Sequence, residues 1–424
     1  MLFNFLILCL CFIYSCTPND SNNIDLLEGS KLFQKKDINI LVLRGNHFTR
    51  GYQHGYLAGS KIRKSFQDII IEYMFKKNKQ SYKKAESLLA DHFVFDKKFK
   101  AEAKGMIAGM KDRNISLFFN DLGRDISYND FLLMTSIEEL YSVVNGKFGC
   151  SSISSWGQST MGDSLLEGEL IITRHWDYPH IEGMINNVML IVHLPEETDE
   201  VPWINLSWAG MIGTCSGMNQ NQVGAFLDYG DYLHEEIKNI SKHKFKFRAI
   251  SLSLRNSMET FDYNNDGACS PKDVVHAIQE YTPYFGSLVH VVTSVNSVAE
   301  LDHNPIVVES NNIHGVAIRN HLHNNYIKGD NLALTNHYRV LEKPTKCHRY
   351  AKIVDSLNSS SKMTCSRSWN LLAGAGASHD CIYSLSFIPA SGSIRLAVTS
   401  MSELIPAYER KSTYFTMEEL LGEY

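Results

Sequence analysis

The 424-residue chain has no excess of positive charge: 41 Lys and Arg stand against 46 Asp and Glu, a formal net charge of −5. Nucleic-acid binding needs clustered cations to neutralise phosphates, so DNA and RNA are excluded as partners. The chain also lacks any C-x-x-C pair, which excludes a zinc ribbon and a thioredoxin motif. Its nine cysteines divide into Cys9, Cys11 and Cys16 near the N-terminus and Cys150, Cys215, Cys269, Cys347, Cys365 and Cys381 further on. If Cys150 stays free, five of the later six remain, an odd number that leaves no complete disulfide framework and room for one or two bridges. There is no internal repeat and no low-complexity tract. With 44% hydrophobic and 21% charged residues, the chain can bury a sizeable core.

The apolar run at residues 2–16 is too short to span a bilayer comfortably and lies at the extreme N-terminus, so it reads as the hydrophobic region of a secretory signal. It ends Ile13-Tyr14-Ser15-Cys16, which resembles a bacterial lipobox, where the cysteine is lipidated and becomes the mature N-terminus. Residues 17–30 then suit a tether. The expectation is an exported protein, held at a membrane by a lipid on Cys16 rather than plainly secreted.

Beyond the tether, residues 31–43 read as a strand. The glycine-spaced stretch Arg50-Gly51-Tyr52-Gln53-His54-Gly55 leads into helical periodicity over 57–75, 82–89, 99–110 and 128–143. The segment 31–149 is therefore expected to be mostly helical. After Cys150 the pattern changes to short β-prone runs bounded by Gly, Pro and Asn, at 188–194, 203–208, 223–228, 289–295, 305–309, 315–319, 332–335, 382–388 and 393–399. Helices are expected near 245–254, 270–281, 346–357 and 366–372. The fold class is α+β, sheets covered by helices.

The chemistry centres on Gly149-Cys150-Ser151-Ser152 and, one strand on, Thr173-Arg174-His175-Trp176-Asp177-Tyr178. A thiol is mostly protonated at neutral pH and needs a base or an electropositive setting. No histidine neighbours Cys150 in sequence. If the Gly149–Cys150 peptide bond is cut, however, the new α-amine, with a pKa of about 8, can serve as base for its own thiol. The plain alternative is a buried structural cysteine on a strand. A second candidate is Gly213-Thr214-Cys215-Ser216-Gly217, which fits the nucleophile elbow of α/β-hydrolases; that elbow must run into a helix, whereas the Asn- and Gly-rich stretch that follows leads to an apolar run that reads as another strand.

Taken in order, these stretches resemble the N-terminal nucleophile (Ntn) hydrolases, in the autoproteolytic branch typified by acyl-coenzyme A:6-aminopenicillanic acid acyltransferase and related to the choloylglycine hydrolases. Residues 50–55 resemble the upstream glycine motif, 149–152 the cleavage site, and 173–178 the second-strand motif. Gly217-Met218-Asn219 resembles the family's Gly-Met-Asn turn. Leu334-Thr335-Asn336-His337 and Cys347-His348-Arg349-Tyr350 resemble the later Thr-Asn and Ser-x-Arg motifs. The resemblance implies a four-layer αββα sandwich, self-cleaved into a smaller helical chain and a larger β-rich chain, 150–424, that stay together as a heterodimer. It implies hydrolysis or transfer of an acyl group from a small linear amide or thioester. Cys150 would be the nucleophile, Asp177 the partner of its amine, Arg174 and Arg349 the polarising cations, and Asn219 with Asn336 the oxyanion donors.

No cofactor is expected for catalysis. Residues 262–273 place Asp262, Asn264, Asp266, Ala268, Ser270 and Asp273 at the spacing of an EF-hand-like loop with Gly267 at its sixth position, so a structural calcium ion is an expectation. The non-enzymatic alternative is a surface lipoprotein that keeps the fold as a calcium-stabilised binding module.

Overall fold

The computed structural model describes residues 25–144, 149–230, 246–281, 283–294, 304–324, 326–375 and 380–422. The signal-like segment 1–16 and most of the tether lie outside them. Among the described residues no helix is long and apolar enough to cross a membrane.

Two sheets face each other. The larger has nine strands in the order β1 (Lys31–Lys35), β2 (Ile38–Gly45), β7 (Val188–Pro195), β8 (Trp203–Trp208), β9 (Ser216–Asn219), β10 (Gly224–Tyr229), β11 (Ser287–Val292), β12 (Ile306–Asn311) and β13 (Gly315–Arg319). The smaller has six, in the order β14 (Asn331–Thr335), β5 (Gly149–Ser155), β6 (Ile171–Asp177), β15 (Cys381–Ile388), β16 (Ser393–Val398) and β17 (Thr413–Thr416). A small ribbon, β3 (Phe118–Phe119) with β4 (Arg124–Asp125), stands apart. Among the described strands every pairing is antiparallel except β2 with β7.

Helices cover both outer faces. On the nine-stranded sheet lie α1 (His47–Ser65), α2 (Lys79–His92), α3 (Lys97–Asp112), α4 (Tyr128–Thr135), α5 (Ile137–Val144), α6 (Ile250–Glu259) and α7 (Pro271–Gln279); α8 (His348–Ser359) and α9 (Cys365–Gly374) lie on the six-stranded sheet. The layers are thus αββα, and the fold is α+β. Because both faces of the central strands are covered, β5 to β10 are almost wholly buried. This explains why β7, β8 and β10 read in sequence as largely apolar runs rather than as alternation.

The expected strand at 31–43 is two strands, in a segment 31–149 whose remaining elements are mostly helices. Residues 31–45 form a hairpin whose second strand joins β7, so this segment shares the large sheet with the rest of the chain. The expected helix at 128–143 is two, broken at Ser136, whose hydroxyl turns back onto the Leu132 carbonyl at 2.9 Å.

The glycine motif is a packing device. An ideal Cβ on Gly51 would lie 2.0 Å from Glu102 O and one on Gly55 2.1 Å from Met106 O; across the contact, Gly105 and Gly109 meet Phe48 O and Tyr52 O at 2.2 and 2.1 Å. α1 and α3 therefore touch backbone to backbone, as only small residues allow. That approach assembles a buried ion cluster. Glu102 lies within 3.0 Å of both His47 and Arg255, Glu200 binds His47 at 2.8 Å and Arg50 at 2.8 Å, and Glu259 binds Arg255 at 2.9 Å and Lys98 at 2.8 Å. His54 accepts the Gly210 N–H at 3.1 Å.

Candidate functional site

β5 and β6 pair so that Cys150 lies opposite Trp176, Ser152 opposite Arg174 and Gly149 opposite Asp177. With a side-chain period of two, Cys150, Ser152, Ser154, Arg174 and Trp176 face the space between the sheets, while Gly149, Asp177 and His175 belong to the helix-covered face. Ser152 and Ser154 bind the two ring nitrogens of His290 on β11 at 2.9 and 2.7 Å. Burial holds that imidazole at about 3, so it is neutral and ties the sheets together.

On the inner face, Arg174 reaches Cys150. Its five N–H donors can be followed individually. Nε meets Asp228 Oδ1 at 3.3 Å; Nη1 meets Cys215 O at 2.9 Å, Tyr383 Oη at 2.8 Å and Ser216 Oγ; Nη2 meets Leu227 O and approaches Cys150 Sγ at 3.8 Å. The guanidinium is fully buried. One N–H is thereby left for the thiol.

On the other face, Arg349, in the first turn of α8, donates to Cys150 O at 2.8 Å and to Asn336 Oδ1 at 2.5 Å, and lies 3.6 Å from Asp177 Oδ2. Asn336, just past β14, accepts the Cys150 N–H at 2.9 Å and donates to Tyr229 O at 2.7 Å, so both ends of its amide are engaged. A Cβ at Gly149 would sit 3.3 Å from Asp177 Oδ2 and 3.4 Å from Arg349 Nη2. The carboxylate and guanidinium therefore crowd the α-carbon just before Cys150, where glycine leaves them room.

The electrostatics follow from burial. The Cys150 thiol is pushed up, chiefly by desolvation and then by Asp228, with Arg174 pulling it back. Asp177 is raised to about 7 by burial, opposed by Arg349, and Asp228 to about 6 by burial, opposed by Arg174. Glu138, whose carboxylate lies 3.8 Å from Cys215 Sγ, is raised to about 7 by burial. The site is thus lined by carboxyls able to exchange protons close to neutrality.

Of the six residues proposed from sequence, five meet here: Cys150, Arg174, Asp177, Asn336 and Arg349. Asn219 does not. Its Oδ1 accepts the N–H groups of Asn221 and Val223 at 3.1 Å, and its Nδ2 donates to Met258 O at 3.2 Å and to Cys269. It closes the β9–β10 turn, at the end of β10 opposite Asp228. Five residues along a strand separate those ends, about 16 Å. Asp228 was missed as a site residue, although it ends the apolar run 223–228; Ser216 and Tyr383 carry no motif that marks them. The alternative elbow at Cys215 is not formed: strands follow it, as the apolar run after it suggested, and not a helix. His175 is buried, held at about 3 by desolvation, and stacked on Tyr408 at 4.8 Å. All six cysteines in the described residues are free.

In the 262–273 loop, Asp262 accepts the N–H groups of Asp266 and Gly267 at 2.9 and 2.8 Å, Asn264 accepts that of Asp266 at 2.9 Å, and Asp266 that of Ala268 at 3.1 Å. Asp273 accepts the N–H of Asn264 at 3.0 Å and, as the capping acid of α7, that of Ser270 at 2.7 Å. Ala268 takes part through its backbone N–H, and Ser270 through its backbone N–H and through its hydroxyl oxygen, which accepts the Lys272 N–H at 3.2 Å. Among the described residues, three ligand atoms of His, Cys, Asp or Glu lie within 4.8 Å of one another only at His47, Glu200 and Glu259. Arg50, Lys98 and Arg255 already neutralise those carboxylates.

No family model matches the chain. Protein dcd1B of Dictyostelium discoideum is 26% identical over 223 residues, covering 48% of this chain and 42% of that protein, so the match spans less than half of that relative. Among solved structures, a Caenorhabditis elegans N-acylethanolamine-hydrolyzing acid amidase ortholog is similar at 15% identity over 57% of this chain and 93% of its own, with a TM-score of 0.39. A conjugated bile acid hydrolase mutant from Clostridium perfringens is similar at 10% identity over 63% and 92%, with a TM-score of 0.36. Penicillin V acylase from Agrobacterium tumefaciens is similar at 11% identity over 65% and 89%, with a TM-score of 0.31. These overlaps are loose, and the two-sheet architecture stands on the strand order and register of this chain.

Proposed function

We propose that this chain is an Ntn-type hydrolase or acyltransferase of the acyl-coenzyme A:6-aminopenicillanic acid acyltransferase-like branch, acting on a small linear amide or thioester through Cys150. The observation that carries the reading is convergence. Arg174, Asn336 and Arg349 engage the thiol, the N–H and the carbonyl of Cys150 respectively, and Asp177 stands with Arg349 beside Gly149.

The first step would be self-processing. Cys150 Sγ attacks the Gly149 carbonyl carbon; a C–S bond forms, the C–N bond breaks, and the leaving nitrogen takes a proton to become the α-amine of Cys150. Water then hydrolyses the thioester and frees the Gly149 carboxylate. Asp177, poised near neutrality beside Gly149, suits proton exchange in that step and afterwards binding of the new ammonium. The amine then serves as base for the thiol in attack on a substrate carbonyl, giving an acyl-enzyme that water or an acceptor amine resolves. Arg174 holds negative charge on sulfur, and Asn336 and Arg349 fix the strand end on which the nucleophile sits. With Asn219 remote, the oxyanion donors are sought among the groups around Cys150.

Intact mass spectrometry of the purified chain beside Cys150→Ala tests this. Two fragments dividing before Cys150 in the wild type, against one in the variant, support it; an uncut wild type removes the α-amine mechanism and favours the binding module. The lipid anchor on Cys16, export and the two-chain product belong to the same proposal, and the N-terminal mass of membrane-extracted protein reads them together. Calcium at 262–273 is proposed on spacing alone. It requires Asp273 to leave its capping bonds, and calorimetry with calcium chloride, with Asp262→Ala as control, tests it.

A further inference from the structure

Arg174 is buried between two sheets and its anchors are unevenly shared. Asp228 and Leu227 on β10, Cys215 just before β9, and Ser216 on β9 all belong to the nine-stranded side. Cys150 belongs to the six-stranded sheet. Among the described residues, apart from the Cys150 thiol itself, Tyr383 on β15 supplies the hydrogen-bond acceptor for Arg174 from that same sheet, at 2.8 Å. Its ring is held independently: Tyr383 stacks on Trp176 at a centroid distance of 5.0 Å, Trp176 stacks in turn on Trp208 at 5.6 Å, and Trp176 is the residue opposite Cys150. The Tyr383 hydroxyl also bonds Ser216 Oγ at 2.8 Å. The hydroxyl thus bridges both sheets at the guanidinium.

We infer that Tyr383, steadied by Ser216, is a positioning residue for the nucleophile: it holds the Arg174 guanidinium toward the sheet that carries Cys150, so that the N–H left over from Arg174's other bonds points at the thiol. This rests on the reading of Cys150 as nucleophile. Without the hydroxyl, every remaining acceptor other than the thiol itself draws Arg174 toward the nine-stranded sheet. The hydrogens of Nη1 still find Cys215 O and Ser216 Oγ, so the guanidinium stays satisfied and the loss falls on its distance to sulfur. A cation that recedes from a buried thiol stabilises the thiolate less.

The test uses the full chain with Tyr383→Phe, which keeps the stacked ring and removes one oxygen, and separately with Ser216→Ala. Two quantities are read across pH: the rate of cleavage before Cys150 by intact mass, and the rate of iodoacetamide alkylation at the Cys150 peptide. For Tyr383→Phe, cleavage is expected to slow about tenfold and the alkylation profile to move up by about one pH unit, the same factor expressed as proton affinity. Ser216→Ala is expected to act in the same direction and less strongly, because the loss of support for the Tyr383 hydroxyl is partly offset by the loss of one anchor on the nine-stranded side. The double variant should be no worse than Tyr383→Phe by more than a small factor, because both act through one guanidinium. A purely structural role would lower the melting temperature and leave the alkylation profile in place. Folded variants, by circular dichroism, that keep the wild-type profile and cleavage rate overturn the inference. If Tyr383→Phe fails to fold, an unmoved profile in Ser216→Ala overturns it. Cleavage that persists in Cys150→Ala, or a Cys150 that stays unalkylated in the wild type, overturns the nucleophile reading and this inference with it; a reactive wild-type Cys150 with unmoved variants overturns this inference alone.

Discussion

Replacing Arg349 by Lys keeps the charge beside Cys150 and removes only the fork. Arg349 uses two nitrogens for three partners: Cys150 O at 2.8 Å, Asn336 Oδ1 at 2.5 Å, and Asp177 Oδ2 at 3.6 Å. A lysine ammonium is a single point on a flexible stem and can serve one of those oxygens well. At least one charge-assisted hydrogen bond is then lost, about 1.5–3 kcal/mol for a partly buried group. If that bond holds the strand end equally before and during attack, stability falls by this amount and the rate is unchanged. If it holds the Cys150 carbonyl for the reaction, the rate of self-cleavage falls by about ten- to a hundredfold. Crowding of Gly149 by the same guanidinium favours the second outcome. Arg349→Met removes the charge as well. Because Arg349 is the main influence drawing Asp177 back from a still higher proton affinity, Met and not Lys should also move the pH profile of cleavage upward. The assay is the time course of the cleaved fraction by intact mass between pH 5 and 9, beside urea denaturation of each variant. Arg349→Lys cleaving within threefold of wild type, with the stability loss intact, would refute the reasoning.

Gly55→Ala should destabilise the chain by about 2–3 kcal/mol even though alanine favours helices, because its Cβ meets the Met106 carbonyl at 2.1 Å and the helices must part; thermal unfolding reads this. Glu139 is raised to about 8 by burial, so the native state keeps a proton that the unfolded state releases above its ordinary value. That contribution is complete at acid pH and is lost as pH rises through about 8, a difference of about 3–5 kcal/mol. Glu139→Gln, whose carbonyl can still accept the Ile250 N–H, should flatten the dependence and melt above wild type at pH 8.5; a parallel curve would sink the argument. Asn336→Ala should block self-cleavage by orphaning the Cys150 N–H, while Asn219→Ala should cost about 1–2 kcal/mol through its turn and leave cleavage within threefold.

The residues around Cys150 were legible because they stand in ordered local patterns: a cysteine after glycine, Arg174 and Asp177 on one strand, Asn336 closing another, and Arg349 in the first turn of a helix. The α+β class was legible from the change of periodicity after residue 149. Asn219 was misplaced for a physical reason. A turn motif specifies what its asparagine does locally, and at Asn219 the amide is consumed by the turn itself. The same hairpin delivers Asp228 at its other end, where sequence shows only the last residue of an apolar run.

The sequence by itself determined which strand carries Cys150 and which side chains alternate on it, since a period of two follows from backbone geometry alone. Only the tertiary structure decided which faces meet. It set Arg174 in the space between the sheets and Asp177 on the helix-covered face with Arg349, and it brought Ser216, Asp228 and Tyr383 to the guanidinium. Those contacts join residues as far as 209 positions apart, and no local pattern encodes a partner supplied by a strand so distant in sequence.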